Sequence, residues 1–186
     1  MPVFGDDSPA VTEISEKSLV ETALDGEPES FRILCQRYYA SMVAVAYSVL
    51  ADSHLAEDAD QETFARACCN LRNLKRKDKF PGWLAGICRN VAKDMLRTRS
   101  TQFNTNNMAM VEDKPQNDCC INEAVWQAIN KLSDSAKEVV VLRYYNGLSY
   151  EKISAVLGIS KGSINGRLTR AKRKIAKYLK QNGFPR

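Results

Sequence analysis

The stretch GLSYEKISAVLGISKGSINGRLTRAKRKI, residues 147–175, decides the fold. Ser149 stands where a side-chain oxygen caps a helix over 150–157, Gly158 supplies the turn, and Ser160 caps a second helix. Ile153, Val156, Leu157, Ile159, Ile164, Leu168, Ala171 and Ile175 recur at helical spacing and form one inner face. This layout predicts a helix-turn-helix, whose second helix lies in the major groove of DNA. Lys161, Ser163, Asn165, Arg167, Arg170 and Lys174 remain outward on it; Arg and Asn among them suit paired hydrogen bonds to base edges. Lys172, Arg173 and Lys177 suit phosphates, which give affinity without sequence information. Gly166 inside this helix costs about 1 kcal/mol of propensity relative to Ala. Close approach to a DNA backbone and a solvent-facing site without constraint both account for it.

Such a unit needs about 30 residues, and the chain has 186. The remainder is best approached through charge. Residues 1–62 hold 3 Lys or Arg against 13 Asp or Glu, 63–99 hold 10 against 2, and 161–186 hold 9 against none. Two separate basic segments predict two contacts with a polyanion, and an acidic segment precedes them. No apolar run approaches the roughly 20 residues of a membrane span. The N-terminus lacks a basic start followed by an apolar block, so the expected location is the cytoplasm. The six cysteines (35, 68, 69, 88, 119, 120) form no C-x-x-C, and His54 is the single histidine. They read as reduced, mostly buried thiols, with a thiol switch at Cys119–Cys120 as the alternative; no metal and no cofactor is expected.

Along the chain, 1–14 reads as a tail. Leu19, Val20, Ala23 and Leu24 open a helical pattern from Ser15, which DGEP (25–28) breaks. Pro28 suits the first turn of a second helix, whose apolar stripe runs from Phe31 to Val49. A third helix follows ADSH (51–54), with Asp52 or Ser53 at its cap. RNLKRKDKFPG (72–82) reads as a loop. A fourth helix starts at Trp83, with Leu84, Ile87, Val91 and Met95 inward. Residues 100–118 are polar and without period, hence a flexible linker. Helices over 121–131 and 134–146 precede the opening pair, Ser133 capping the second of them and Gly147 ending it. The expected architecture is all-α: a four-helix domain over 15–99, a linker over 100–118, a helix-turn-helix domain over 119–180 and a tail over 181–186.

The N-terminal block carries chemistry of its own. The loop cations Lys75, Arg76, Lys77 and Lys79 can line a channel for a sugar-phosphate chain, with Lys93 and Arg97 on the helix beyond. Phe80 and Trp83 either stack bases or fill the core. Asn90 lies off the core stripe and can hydrogen-bond an extruded base. There is no Gly-rich phosphate loop, His-based dyad, metal-ligand set or nucleophile motif, so an enzyme is not expected.

The order DADQETFARA, FPGWLAGICRNVAKDMLRTR, linker, then INKLSDSAKEVVVLRYYNGLSYEKISAVLGISKGSINGRLTRAKRKI resembles the extracytoplasmic function (ECF) sigma factors, group IV of the primary sigma family of bacterial RNA polymerase. The resemblance covers about residues 17–180 and implies a two-domain protein, region 2 and region 4. Region 2 would dock on the polymerase β′ clamp and recognise and melt the −10 promoter element. Region 4 would read the −35 element and meet the β flap. On this resemblance Asp58, Asp60, Gln61, Glu62 and Phe64 match the clamp-docking helix. Residues 73–80 match the loop holding a flipped base, with Asn90 beside it. Residues 160–173 match the −35 reader. An anti-sigma partner, often membrane-bound, is implied as well. Cys68-Cys69 stands where relatives commonly place an aromatic, and Gly166 replaces a more usual Ser or Lys. The rival reading is a helix-turn-helix regulator that acts without polymerase, which has no need of the acidic helix followed by a basic loop.

Overall fold

Ser15 accepts a hydrogen bond from the Ser18 amide and starts α1, Glu16–Leu24. The computed structural model describes residues 14–105 and 120–184, with side chains over 14–99 and 124–184. Pro28 occupies the first turn of α2, Pro28–Leu50, where its missing amide hydrogen is no loss. That helix ends at Ala51, whose φ of 54° is left-handed, and whose amide reaches the Tyr47 carbonyl at 2.9 Å. A Cβ is disfavoured there. Ala51→Gly is therefore expected to raise stability by about 0.5–1 kcal/mol, read as a shifted urea midpoint with unchanged slope.

Asp52 caps α3, Ser53–Asn70, through its Oδ1, 3.0 Å from the Leu55 amide, while its Oδ2 receives the Arg99 guanidinium at 3.1 Å. One carboxylate thus starts α3 and ties it to the far end of α4, Phe80–Thr105. Ala56, Ala59, Thr63 and Ala67 recur on the inner side of α3. Small side chains at this spacing let α3 sit close against α2 and α4, around Leu34, Met42, Val45, Leu84, Cys88 and Val91. The segment read as a loop folds as two single 3-10 turns, Leu71–Asn73 and Lys77–Lys79. Two boundaries move: α4 begins at Phe80 rather than Trp83, and it continues to Thr105 through residues assigned to the linker. The tail calls over 1–13 and 185–186, the linker over 106–119 and Cys119 lie outside the described residues.

The C-terminal block comprises α5, Cys120–Asn130; α6, Asp134–Val140; α7, Tyr150–Leu157; and α8, Lys161–Gln181. Ser149 accepts from the Lys152 amide at 3.3 Å, Gly158 turns at φ 66°, and Ser160 accepts from the Ser163 amide at 3.2 Å, as the spacing predicts. Ser154 adds a brace, donating to the Ile159 carbonyl at 2.6 Å across the turn. Ile153, Val156, Ile164, Leu168 and Ala171 close the core against Val139 and Leu142. The helix expected over 134–146 instead relaxes after Val140 into a π turn, Val141–Tyr145. The Asn146 amide reaches back to Val141 at 3.2 Å, and Gly147 follows at φ 65°. Ser133 holds the cap position of α6 without a side-chain bond.

The two blocks touch. α7 lies on α4, and α6 with the π turn lies on α2.

Candidate functional site

Three surfaces carry the chemistry. The first is an open groove of about 1080 Å³ between α3 and α4. Leu55, Val91 and Met95 give it an apolar floor, and Asp58, Gln61 and Glu62 stand along its α3 rim. Arg66 crosses it, with Nε 2.6 Å from Glu62 Oε1 and Nη1 3.7 Å from Asp94 Oδ2. An apolar floor with an acidic rim suits a protein surface that offers Lys or Arg beside aliphatic side chains.

Two of the residues expected on that surface are elsewhere. Asp60 is 3% exposed and Phe64 9%. Both fall on the inner stripe with Ala56, Ala59, Thr63 and Ala67, so neither side chain faces the groove. Asp60 Oδ1 has no hydrogen-bond partner. Burial, and secondarily the charge of Glu57, push its carboxyl up to about 7. Asp58, Gln61 and Glu62 remain where the sequence puts them.

The second surface runs from the basic segment along α4. Lys75, Arg76 and Lys79 are exposed; Lys77 is partly covered. Asp78 gathers Arg76 at 2.7 Å and Lys79 at 3.9 Å, and Lys77 reaches Glu21 at 3.2 Å. Phe80 is fully buried, its ring centroid 5.7 Å from Tyr38 and 5.9 Å from Trp83. Of the two readings left open, filling the core therefore holds for Phe80. Trp83 is half-buried and keeps an accessible part. Asn90, Lys93 and Arg97 are exposed and follow one another at i, i+3 and i+7, one stripe of α4. Arg97 also lies 3.5 Å from Asp94.

The third surface is α8. Lys161, Ser163, Asn165, Arg170, Lys172, Arg173 and Lys174 are exposed around the side opposite Ile164, Leu168 and Ala171. Arg167 is partly covered and donates to the Ser135 carbonyl of α6 at 3.4 Å, bracing α8 against α6. Lys161 pairs with Glu151 of α7, and that contact holds the Glu151 carboxyl well below the usual carboxylate range, at about 2. Lys172 lies 5.3 Å above the Tyr144 ring. A Cβ added at Gly166 would meet only Arg170 Nη2, at 3.9 Å, so packing within the chain does not demand glycine there. The brace at Ser135 and the ring of Tyr144 were not found from sequence, because Ser135 lies in α6, 32 positions from Arg167, and Tyr144 lies in the π turn, 28 positions from Lys172.

The cysteines divide. Cys88 is buried and donates to the Met42 carbonyl at 3.3 Å; burial pushes its thiol up to about 12. Cys35 is pushed up to about 11 for the same reason. Cys68 and Cys69 are exposed, against the expectation of mostly buried thiols, because they lie on the outer side of α3. A water-soluble thiol reagent at pH 8 is expected to label Cys68 and Cys69 within minutes and leave Cys88 unmodified until the chain is unfolded; peptide mass mapping reads both. Among the described residues no group of three or more His, Cys, Asp or Glu is placed to hold a metal ion, and no helix is long and apolar enough to cross a membrane.

These surfaces fall within two segments of known kinship. The family model for sigma-70 region 2 matches residues 34–102, and that for sigma-70 region 4 matches 122–175. The chain is 27% identical to the RNA polymerase sigma-H factor of Pseudomonas aeruginosa, over 91% of this chain and 96% of that protein. It is 26% identical to the ECF RNA polymerase sigma factor SigW of Bacillus subtilis, over 90% and 98%. Among solved structures, that of CnrH in complex with the cytosolic domain of CnrY is similar with a TM-score of 0.62 and 25% identity, over 90% of this chain and 99% of that one. With an acidic groove on α3, a basic stripe on α4 and the capped, basic α8 lying within the matched segments, the chain belongs to the ECF sigma factors of the sigma-70 family.

Proposed function

We propose that this RNA polymerase sigma factor divides its work among the three surfaces. The α3–α4 groove, through Asp58, Gln61 and Glu62, docks on a basic surface of core polymerase. The loop cations, Trp83 and the stripe Asn90–Lys93–Arg97 take the opened −10 strand. Lys161, Ser163, Asn165, Arg167 and Arg170 read the −35 duplex, while Lys172, Arg173 and Lys174 grip its phosphates. The observation that carries this reading is the groove: a regulator that binds duplex DNA alone needs the reader helix but has no use for an acidic-rimmed groove on a second block.

Charge complementarity of this kind sets partner choice and encounter rate more than raw affinity. The bond-making chemistry is the polymerase's, and the chain supplies recognition and strand opening. Extruding a base costs a few kcal/mol of stacking, which contacts from Asn90 and the loop offset. The work takes place in the cytoplasm, and an anti-sigma protein is the expected regulator.

Run-off transcription with purified core polymerase over genomic fragments tests this reading. Discrete transcripts that require the chain are expected; transcripts equal with and without it would overturn the reading. Within that assay, Asn90→Ala is expected to lower open-complex formation about tenfold while leaving polymerase binding within twofold. Equal loss of both would remove Asn90 from the strand-holding surface.

A further inference from the structure

The match to region 2 begins at residue 34, and α1 lies before it. The helix is nevertheless built into the fold. Leu19 and Val20 are buried, Tyr38 of α2 donates to the Glu16 carboxylate, and Arg37 donates to the Ile14 carbonyl at 3.1 Å. That anchoring sets α1 beside the basic segment. Glu21 Oε1 stands 3.2 Å from Lys77 Nζ, which lies 56 positions further along the chain; the two side chains are 41% and 39% exposed. Burial raises the Glu16 carboxyl, and the charge of Asp78 adds to that rise, so Asp78 faces the start of α1. α1 therefore meets the second 3-10 turn, Lys77–Lys79, from its first turn and from its middle.

The basic segment has little else to hold its shape. The Leu74 amide closes the first turn on the Leu71 carbonyl at 3.0 Å, and the Lys79 amide closes the second on the Arg76 carbonyl at 2.9 Å. Single 3-10 turns have poor hydrogen-bond geometry. Leu74 and Phe80 are buried and pin the two ends, leaving Lys75 to Lys79 between them at the surface. Arg76 and Lys79 share Asp78, a neighbour in the same segment, and Lys75 has no ion-pair partner among the described residues. Of these four cations, Lys77 alone is ion-paired to another helix. Glu21 is itself an anion beside a surface that takes phosphates, which it repels. What it holds accounts for its place there.

Building on the sigma-factor reading, we propose that Glu21 is a positioning residue for promoter opening: through Lys77 it fixes the second 3-10 turn, so that Lys75, Arg76 and Lys79 meet the phosphates of the opened strand in a set arrangement. Lys77 then serves as the tether of the segment and not as a phosphate contact. A segment ordered in advance loses less freedom when the strand arrives, which strengthens capture without adding a contact. An ion pair of this exposure is worth at most about 1 kcal/mol, which is about fivefold in an equilibrium. Removing it therefore leaves the fold intact and acts on the segment alone.

Two measurements test this. The first is amide hydrogen exchange of the purified full chain, with folding checked by circular dichroism. In Glu21→Gln the Lys79 and Phe80 amides, which close the second turn, are expected to exchange roughly three- to fivefold faster at unchanged helicity. The second is opening of a selected promoter by polymerase reconstituted with the chain, read by permanganate at unpaired thymines. Glu21→Gln is expected to lower opening roughly three- to fivefold while leaving polymerase binding within about twofold. An anion acting through charge alone predicts the opposite sign, because its loss strengthens attraction for phosphates. Equal or higher opening in Glu21→Gln, or unchanged amide exchange, would overturn the proposal. The charge swap Glu21→Lys with Lys77→Glu is expected to restore both readouts. A swap that leaves the amides fast would overturn the pairing, and one that restores the amides but not opening would make Lys77 a phosphate contact and overturn the tether. The exchange measurement needs neither polymerase nor promoter, so it can fail while the sigma-factor reading stands, and the reverse holds as well.

Discussion

Asp60→Val is expected to stabilise the chain at pH 8 by roughly 2–4 kcal/mol and to flatten its pH dependence between 4 and 7. The folded chain keeps the Asp60 carboxyl protonated up to about 7 because burial disfavours its charge, while the unfolded chain releases that proton near its ordinary value of about 3.9. Between those values the folded state binds more protons than the unfolded state, so stability falls as pH rises. Each unit costs about 1.4 kcal/mol, and the whole interval sets a ceiling of roughly 4 kcal/mol. The group is 3% exposed and its Oδ1 lacks a partner, so little solvent or hydrogen bonding relieves the charge. Cys35 and Cys88 face it from α2 and α4, and both thiols are neutral across this range. Val removes the charge and the unpaired oxygen with a side chain only slightly larger. Urea melts at pH 5 and pH 8 read the effect. A wild-type midpoint that does not drop between them, or a valine variant that is no more stable at pH 8, would contradict the placement.

The second large effect concerns Phe80. Phe80→Ala is expected to cost about 3–5 kcal/mol, the range for removing a fully buried aromatic ring, and Phe80→Leu to return most of it. The ring fills the space between Tyr38 and Trp83 at the start of α4, so its loss loosens the helix that carries Asn90, Lys93 and Arg97. A base-stacking role predicts the opposite pattern: unchanged stability and a loss confined to DNA opening. Guanidinium unfolding followed by circular dichroism separates the two, and near-equal midpoints for wild type and Phe80→Ala would return the ring to the DNA surface.

Both residues show where local sequence carries the fold and where it does not. The caps at Ser149 and Ser160, the turn at Gly158, Pro28 in the first turn of α2 and the Asp52 cap are decided within four residues, and each stands where the spacing put it. Asp60 was counted on the docking surface because the family resemblance carried it over with its neighbours. Helical spacing sets it four residues after Ala56 and three before Thr63, on the inner stripe, and following the period alone finds it. Phe80 follows a lysine-rich run that reads as loop, and the Tyr38 ring that closes over it comes from α2, far along the chain. Residues 100–105 carry no apolar period, so nothing local announces that α4 continues. The Arg89–Glu138 pair joins residues 49 positions apart, and no sequence period connects them. The groove was half legible: Asp58, Gln61 and Glu62 were found, but its floor of Val91 and Met95 comes from packing α4 on α3.

The most direct measurement is a footprint of the polymerase reconstituted with this chain on a promoter it selects, with permanganate probing of unpaired thymines. The expected result is two protected patches, near −10 and −35, with reactive thymines in the downstream patch alone and no footprint at the same concentration from the chain without core polymerase. A single protected patch without unpaired thymines, formed equally well by the chain alone, would contradict the account.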